Sequence, residues 1–143
     1  MVLIDEQDWP LVLVRWDTPI GSMDTEFCAG SLAAWIKRAP RFAVLSIQPS
    51  ELSGARLQKS FGSAPRPGTR CAGIALTWTD GRRDPAAGAD DAEHLGTQLG
   101  CPVQAFLDTD AALRWLRAQL ATPATIASPL RVRAMRESAS PPG

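Results

Sequence analysis

Apolar runs of strand character alternate with stretches of helical period along most of this chain, and that alternation leaves few architectures open. Leu11-Val-Leu-Val-Arg-Trp16, Arg41-Phe-Ala-Val-Leu-Ser-Ile47 and the stretch from Thr69 to Trp78 are rich in β-branched and aromatic residues and read as strands. Between them, Cys28, Leu32, Trp35 and Ala39 recur at i, i+4, i+7 and i+11, which is one apolar face of a helix over about 24–38. Ala92, Leu95, Gly96 and Leu99 make a second such face over 89–99, and Ala112, Leu113, Leu116 and Leu120 a third over 110–121. Strands that alternate with helices are joined by crossovers, so a mostly parallel sheet with flanking helices is predicted. The unbroken apolar run from Phe42 predicts a strand buried on both faces.

Local punctuation supports the same order. Val2-Leu-Ile4 is a short apolar run close enough to the 11–16 strand to form an antiparallel hairpin, and Pro10 is tolerated at a strand's first residue. Asp17-Thr-Pro-Ile-Gly21 breaks the chain, and Ser22 or Asp24 is the expected cap of the first helix, which Pro40 ends. A short helix over about 51–61, interrupted by Gly54, leads to a Gly/Pro loop at 62–68. Gly100 stops the 89–99 helix, 102–107 reads as a strand, and Asp108 or Thr109 caps the last helix. Residues 1–121 therefore form one α/β domain. Residues 122–143 hold four prolines, no aromatic, and Arg131, Arg133 and Arg136, the composition of a disordered tail.

Composition narrows the partners. With 143 residues, 45% hydrophobic and 21% charged, the chain can bury one ordinary core. Fifteen basic and fifteen acidic residues cancel, so no global field draws nucleic acid or an anionic membrane. No apolar run approaches the ~20 residues of a spanning helix. The N-terminal Met1-Val-Leu-Ile-Asp-Glu-Gln-Asp8 has no apolar leader segment, so a cytoplasmic location is expected. Cys28, Cys71 and Cys101 are odd in number and widely spaced, which fits neither a disulfide framework nor a zinc knuckle.

Ile4-Asp5, Trp9-Pro-Leu-Val-Leu-Val-Arg-Trp16, Pro19, a capped helix carrying Phe27, and Arg41-Phe-Ala-Val-Leu45 resemble the SpoIIAA-like (STAS/SEC14-like) family. Pro102-Val-Gln-Ala-Phe106 and Asp110-Ala-Ala-Leu-Arg-Trp-Leu116 resemble its last strand and helix, so the likeness covers roughly 2–121. The resemblance implies a small bacterial α/β domain with a mixed, mostly parallel sheet. It also implies action by binding partners, as in anti-anti-sigma regulators. Family regulators carry an Asp-Ser-Ser-Gly type loop in which Ser is phosphorylated. Here the region reads Gln48-Pro-Ser-Glu-Leu-Ser-Gly54, which makes Ser53 the corresponding phospho-site, but Leu52 stands where the family has an acidic residue. Helix capping by Ser50 and Ser53 is the simpler reading.

Candidate chemistry is sparse. His94 is the only histidine, with Asp90 and Asp91 one turn before it, and one His without nearby Cys makes a thin metal or base site. A surface His on a polar helix is the preferred reading. Cys28 falls on an apolar stripe, and Cys101, between Gly100 and Pro102, is expected to be the most exposed thiol. Asp80, Asp84, Asp90, Asp91 and Glu93 cluster as a solvated loop and helix start. Arg56, Lys59, Arg66 and Arg70 surround the Gly/Pro loop and form a candidate anion or partner site, though no phosphate-loop motif accompanies them. Trp9 and Trp16, flanking the 11–16 strand, are candidates to edge a pocket or partner surface. The sequence thus predicts a non-enzymatic module that binds a protein partner or itself, with no cofactor, no metal and no nucleic acid. The alternative is a small enzyme or apolar-ligand binder with a Trp-lined pocket.

Overall fold

A computed structural model describes residues 1–38, 40–49, 65–79 and 84–123. Ala39, the helix expected over 51–61, Asp80 and the tail from residue 124 lie outside the described residues. In chain order the elements are β1 (Val2–Asp5), β2 (Leu11–Trp16), α1 (Ser22–Lys37), β3 (Phe42–Gln48), a 3-10 turn (Gly68–Arg70), β4 (Cys71–Trp78), α2 (Pro85–Leu99), β5 (Val103–Ala105) and α3 (Thr109–Ala121). They make a single α/β domain with a mixed sheet ordered β1-β2-β3-β4-β5. β1 runs antiparallel to β2, with Val2 opposite Trp16 and Asp5 opposite Leu13, and β2 to β5 are mutually parallel. The predicted hairpin and parallel array are both present. Among the described residues no helix is long and apolar enough to cross a membrane.

The two faces of the sheet are covered unequally. Both α1 and α2 lie on one face, where Val12, Val14, Trp16, Phe42, Val44, Ile74, Leu76 and Trp78 meet Cys28, Leu32, Trp35, Ala92, Leu95 and Leu99. Fully burying a large apolar side chain contributes roughly 1.5–3 kcal/mol, so this face dominates the stability. The other face holds Ala43, Leu45, Ala72 and Ala75 against Ala112 and Leu116 of α3. Small residues let α3 sit close. A Cβ on Gly73 would come within 3.0 Å of the Trp115 ring, so glycine is needed beneath that indole. β3 is buried along nearly its whole length, as its unbroken apolar run predicts.

Helix starts differ from the sequence reading in two places. The first helix is capped by Gly21, not by Ser22 or Asp24. Asp24 instead occupies the third helical position, where Oδ2 accepts the Gly21 N–H at 2.9 Å. Its Oδ1 accepts the Val2 N–H, also at 2.9 Å. The Met1 carbonyl accepts the Asp17 N–H at 2.7 Å just past β2, so Val2 points its N–H away from the sheet, and Asp24 covers this edge donor. The second helix begins four residues earlier than expected because Asp84 caps it and Pro85 takes its first position. Gly100 closes it in the left-handed region at φ 74°, as predicted.

Candidate functional site

The sheet has two chemically distinct ends. Where β2 to β5 begin, the polar groups are engaged in holding elements together. Arg70 donates to Ile36 O at 3.1 Å and Arg38 O at 2.6 Å, closing the C-terminal end of α1. Arg66 donates to Thr97 O and Gln98 O, both at 3.2 Å, at the C-terminal end of α2. Arg41 joins Thr69 O at 3.0 Å to Thr122 O at 2.9 Å, just past α3. Each guanidinium thus meets the negative end of a helix and satisfies carbonyls that have no partner within it. Trp9 is in the same region. It stacks on Phe42 at 6.0 Å with Arg38 over its ring at 4.0 Å, while Glu6 binds Arg38 at 2.7 Å and accepts Trp35 Nε1–H at 2.9 Å.

Where the parallel strands finish, one row of side chains crosses the sheet. Trp16, Gln48 and Trp78 project from the ends of β2, β3 and β4 on the face that α1 and α2 cover. They are 1%, 0% and 6% exposed. Ser46 Oγ–H donates to Gln48 Oε1 at 2.9 Å. Gln48 Nε2 and Trp78 Nε1 find no hydrogen-bond partner among the described residues. Buried polar groups are nearly always paired, so these donors set this end apart.

Two recesses open on the surface. A cleft of about 360 Å³ lies between the start of α2 and the end of β5, with Trp78, Gly88, Ala92, Ala105 and Phe106 in its walls and Asp84 and Glu93 among its polar groups. A groove of about 270 Å³ lies on the opposite face, beside α3. Leu11, Leu13, Leu45, Ile47 and Leu113 line it, with Asp5 and Asp8 at one side and Arg117 and Thr109 on the helix. It exists because α3 packs over β3 and β4 and leaves β2 half covered.

The residues singled out in the sequence are not brought together. Trp9 and Trp16 sit at opposite ends of β2, roughly 20 Å apart along the strand. Trp16 is a core residue rather than the edge of a surface. Arg66 and Arg70 are held on two different helix ends, and Arg56, Lys59 and Ser53 lie outside the described residues. Sequence reading missed both recesses, although Asp84-Pro85 was a legible helix start that would have placed the cleft.

The nucleophile and metal candidates are also accounted for. His94 is exposed; its Nδ1–H donates to Asp90 O at 2.8 Å, and this bond, aided by the Asp90 carboxylate, holds its pKa above the ordinary value. Burial pushes the Cys28 thiol up to about 12. A hydrogen bond with Cys101, followed by burial, raises Cys71 well above its usual range. Cys101 is the most exposed thiol, as expected, but at 9% it too is buried. Raised pKa values leave Cys28 and Cys71 protonated and poor nucleophiles. Asp91, expected in a solvated cluster, is buried. Among the described residues no three His, Cys, Asp or Glu side chains converge as a metal site. No protein-family model, no curated protein and no solved structure matches this chain.

Proposed function

We propose that this chain is a non-enzymatic regulatory module of the SpoIIAA-like kind, acting through protein–protein contacts, and that its open sheet face pairs with a second copy. The single observation that carries the reading is the groove beside α3. Leu11, Leu13, Ile47 and Leu113 remain only half-buried there, and half-buried apolar floors of this sort mark interaction surfaces. The rim supports self-pairing. Asp5 and Asp8 stand on one side and Arg117 on the other, so a two-fold axis along the groove sets the acids of one copy over the arginine of the next. Pairing through sheet edges is less favoured. β5 has only three residues, and Asp24 already occupies the Val2 donor of β1. The reading assigns no cofactor and a cytoplasmic location, where three unpaired thiols persist.

Sedimentation velocity over a concentration series tests the pairing. A concentration-dependent dimer is expected, lost in Leu13→Glu and weakened in Arg117→Glu. Adding Asp5→Arg and Asp8→Arg to Arg117→Glu should restore it. A monomer at every concentration, or a dimer indifferent to these changes, removes self-pairing through this face.

A further inference from the structure

We propose that Cys71 and Cys101 are a modification site, at which an oxidant of the peroxide class reversibly converts two thiols into a disulfide between the starts of β4 and β5. The site is separate from the groove and does not depend on self-pairing. Its geometry follows from a bulge. Phe42 pairs with Cys71 but Ala43 pairs with Gly73, so Ala72 is an extra residue in β4. The insertion turns Cys71 to the face it shares with Phe42, Ile74 and Leu76, while Ala72 joins Ala75 on the other. Without it, strict alternation would send the Cys71 thiol to the side that α3 covers. On the next strand Val103 is opposite Ile74, and Cys101 lies two residues before Val103 on the same face. Carried back past the bulge, this register sets Cys101 beside Cys71.

Neighbouring strands lie about 4.8 Å apart, and a disulfide needs Cα atoms roughly 4.4–6.8 Å apart. The backbone between the two positions is fixed, because the Ile74 N–H donates to Pro102 O at 2.9 Å. The side chains meet as well. The Cys71 thiol donates to Gly73 O at 3.6 Å and shares a hydrogen bond with Cys101. Access to the two sulfurs is unequal. Cys71 is fully buried, whereas Cys101 is 9% exposed at the bend between α2 and β5, so a small oxidant meets Cys101 first. With hydrogen peroxide, the Cys101 sulfur bonds to one oxygen and the O–O bond breaks. The other oxygen leaves as water with the thiol proton, and Cys101 becomes a sulfenic acid. The Cys71 sulfur then bonds to that sulfur, the S–O bond breaks, and the oxygen leaves as a second water with the Cys71 proton. In sum, two thiols and one peroxide give one disulfide and two waters, with two electrons passing from sulfur to oxygen. The bond ties β5, an edge strand of three residues, to β4. Cys28 is held on α1 among apolar side chains and serves as the internal control.

The test treats the reduced full chain with hydrogen peroxide at neutral pH, then denatures it and alkylates it with N-ethylmaleimide. Untreated protein should take three maleimides and treated protein one. Intact mass before alkylation should fall by about 2 Da, the two hydrogens lost. After trypsin, the peptide 71–82 should be joined to the peptide 84–114, and dithiothreitol should separate them and restore both thiols. Cys28→Ser should leave the bridge unchanged. Cys71→Ala should leave a sulfenic acid at Cys101 that dimedone captures. In urea the same treatment should give mixed pairs that include Cys28, because the unfolded chain selects no partner. The proposal is overturned if native protein keeps three alkylatable thiols, if Cys28 or a second copy supplies half of the bridge, or if the 71–101 bridge forms only in urea. It is also overturned if Cys101 passes to sulfinic acid while Cys71 stays free, or if dimedone captures no residue or Cys28 in Cys71→Ala. The mapping on the unaltered chain stands without either variant.

Discussion

At the end of the sheet where β2 to β5 begin, Arg41, Arg66 and Arg70 all terminate on backbone carbonyls at or near helix ends. At the end where those strands finish, Gln48 Nε2 and Trp78 Nε1 are buried without partners among the described residues, and a cleft opens beside them. Both ends contain tryptophans and polar groups, so composition does not separate them. Engagement does. Charge spent on a helix end stabilises the fold and is withdrawn from ligands, whereas an unpaired donor at a strand terminus costs stability that a packed domain would otherwise retain. The first end serves as a structural seam. The second is the better place to seek recognition.

The largest expected effect breaks the seam at its centre. Trp35 is buried against Phe42 at 5.8 Å and donates to Glu6. Trp35→Ala should cost about 3–5 kcal/mol in chemical denaturation. A loss below about 1 kcal/mol would mean that the aromatic cluster is not what joins α1 to the sheet.

Arg70→Ala removes a guanidinium held by two carbonyls and should cost about 1.5–3 kcal/mol. Arg70→Lys should recover only part, because an ammonium cannot reproduce the planar fork. If lysine restored everything, charge at the helix end alone would explain the site.

Removing polarity at the opposite end should behave differently. In the double variant Ser46→Ala, Gln48→Leu, the one internal bond disappears together with both groups, and the unpaired amide goes with it. Stability should be unchanged or rise by about 1 kcal/mol. A loss comparable to that of Arg70→Ala would show that Gln48 is engaged as fully as the seam arginines, and the contrast between the ends would fail.

The smallest effects are in pH dependence. The Gly21 N–H, with lesser help from Val2 and the terminal ammonium, holds the Asp24 carboxyl below its ordinary 3.8. Its contribution is therefore complete above 3.8 and lost as pH falls through the lower folded value. Asp24→Asn should flatten the acid limb of a melting-temperature profile. His94 is raised above 6.5, so its contribution is present below 6.5 and disappears as pH climbs through the folded value. His94→Gln should flatten only that shallow slope, since the ring is exposed. A steep loss of stability on replacing His94 would place it in a packed network it does not share here.

Much of the architecture was legible in the residues because its signals are local. The β-branched run from Leu11, the stripe of Cys28, Leu32 and Trp35, and the glycine at 100 each act over a few residues, and each element formed where those signals stand. Alternating strands and helices then left a mostly parallel sheet as the economical arrangement. The destinations of Arg66 and Arg70 were not legible. Only folding brings the residues ahead of β4 beside the ends of α1 and α2, more than thirty residues away in sequence for the Arg66–Gln98 and Arg70–Ile36 bonds. Trp9 and Trp16 look alike as flanks of one strand. Yet Trp16 faces the side covered by two helices and is wholly buried, while Trp9 rests half-covered under Arg38. The cleft depends on still more, because its walls come from the end of β4, the start of α2 and the end of β5, which only packing brings together. Periodicity fixes which face of a helix is apolar, but not which face of the sheet that helix will cover. That choice rests on packing between distant segments, and here it placed both recesses.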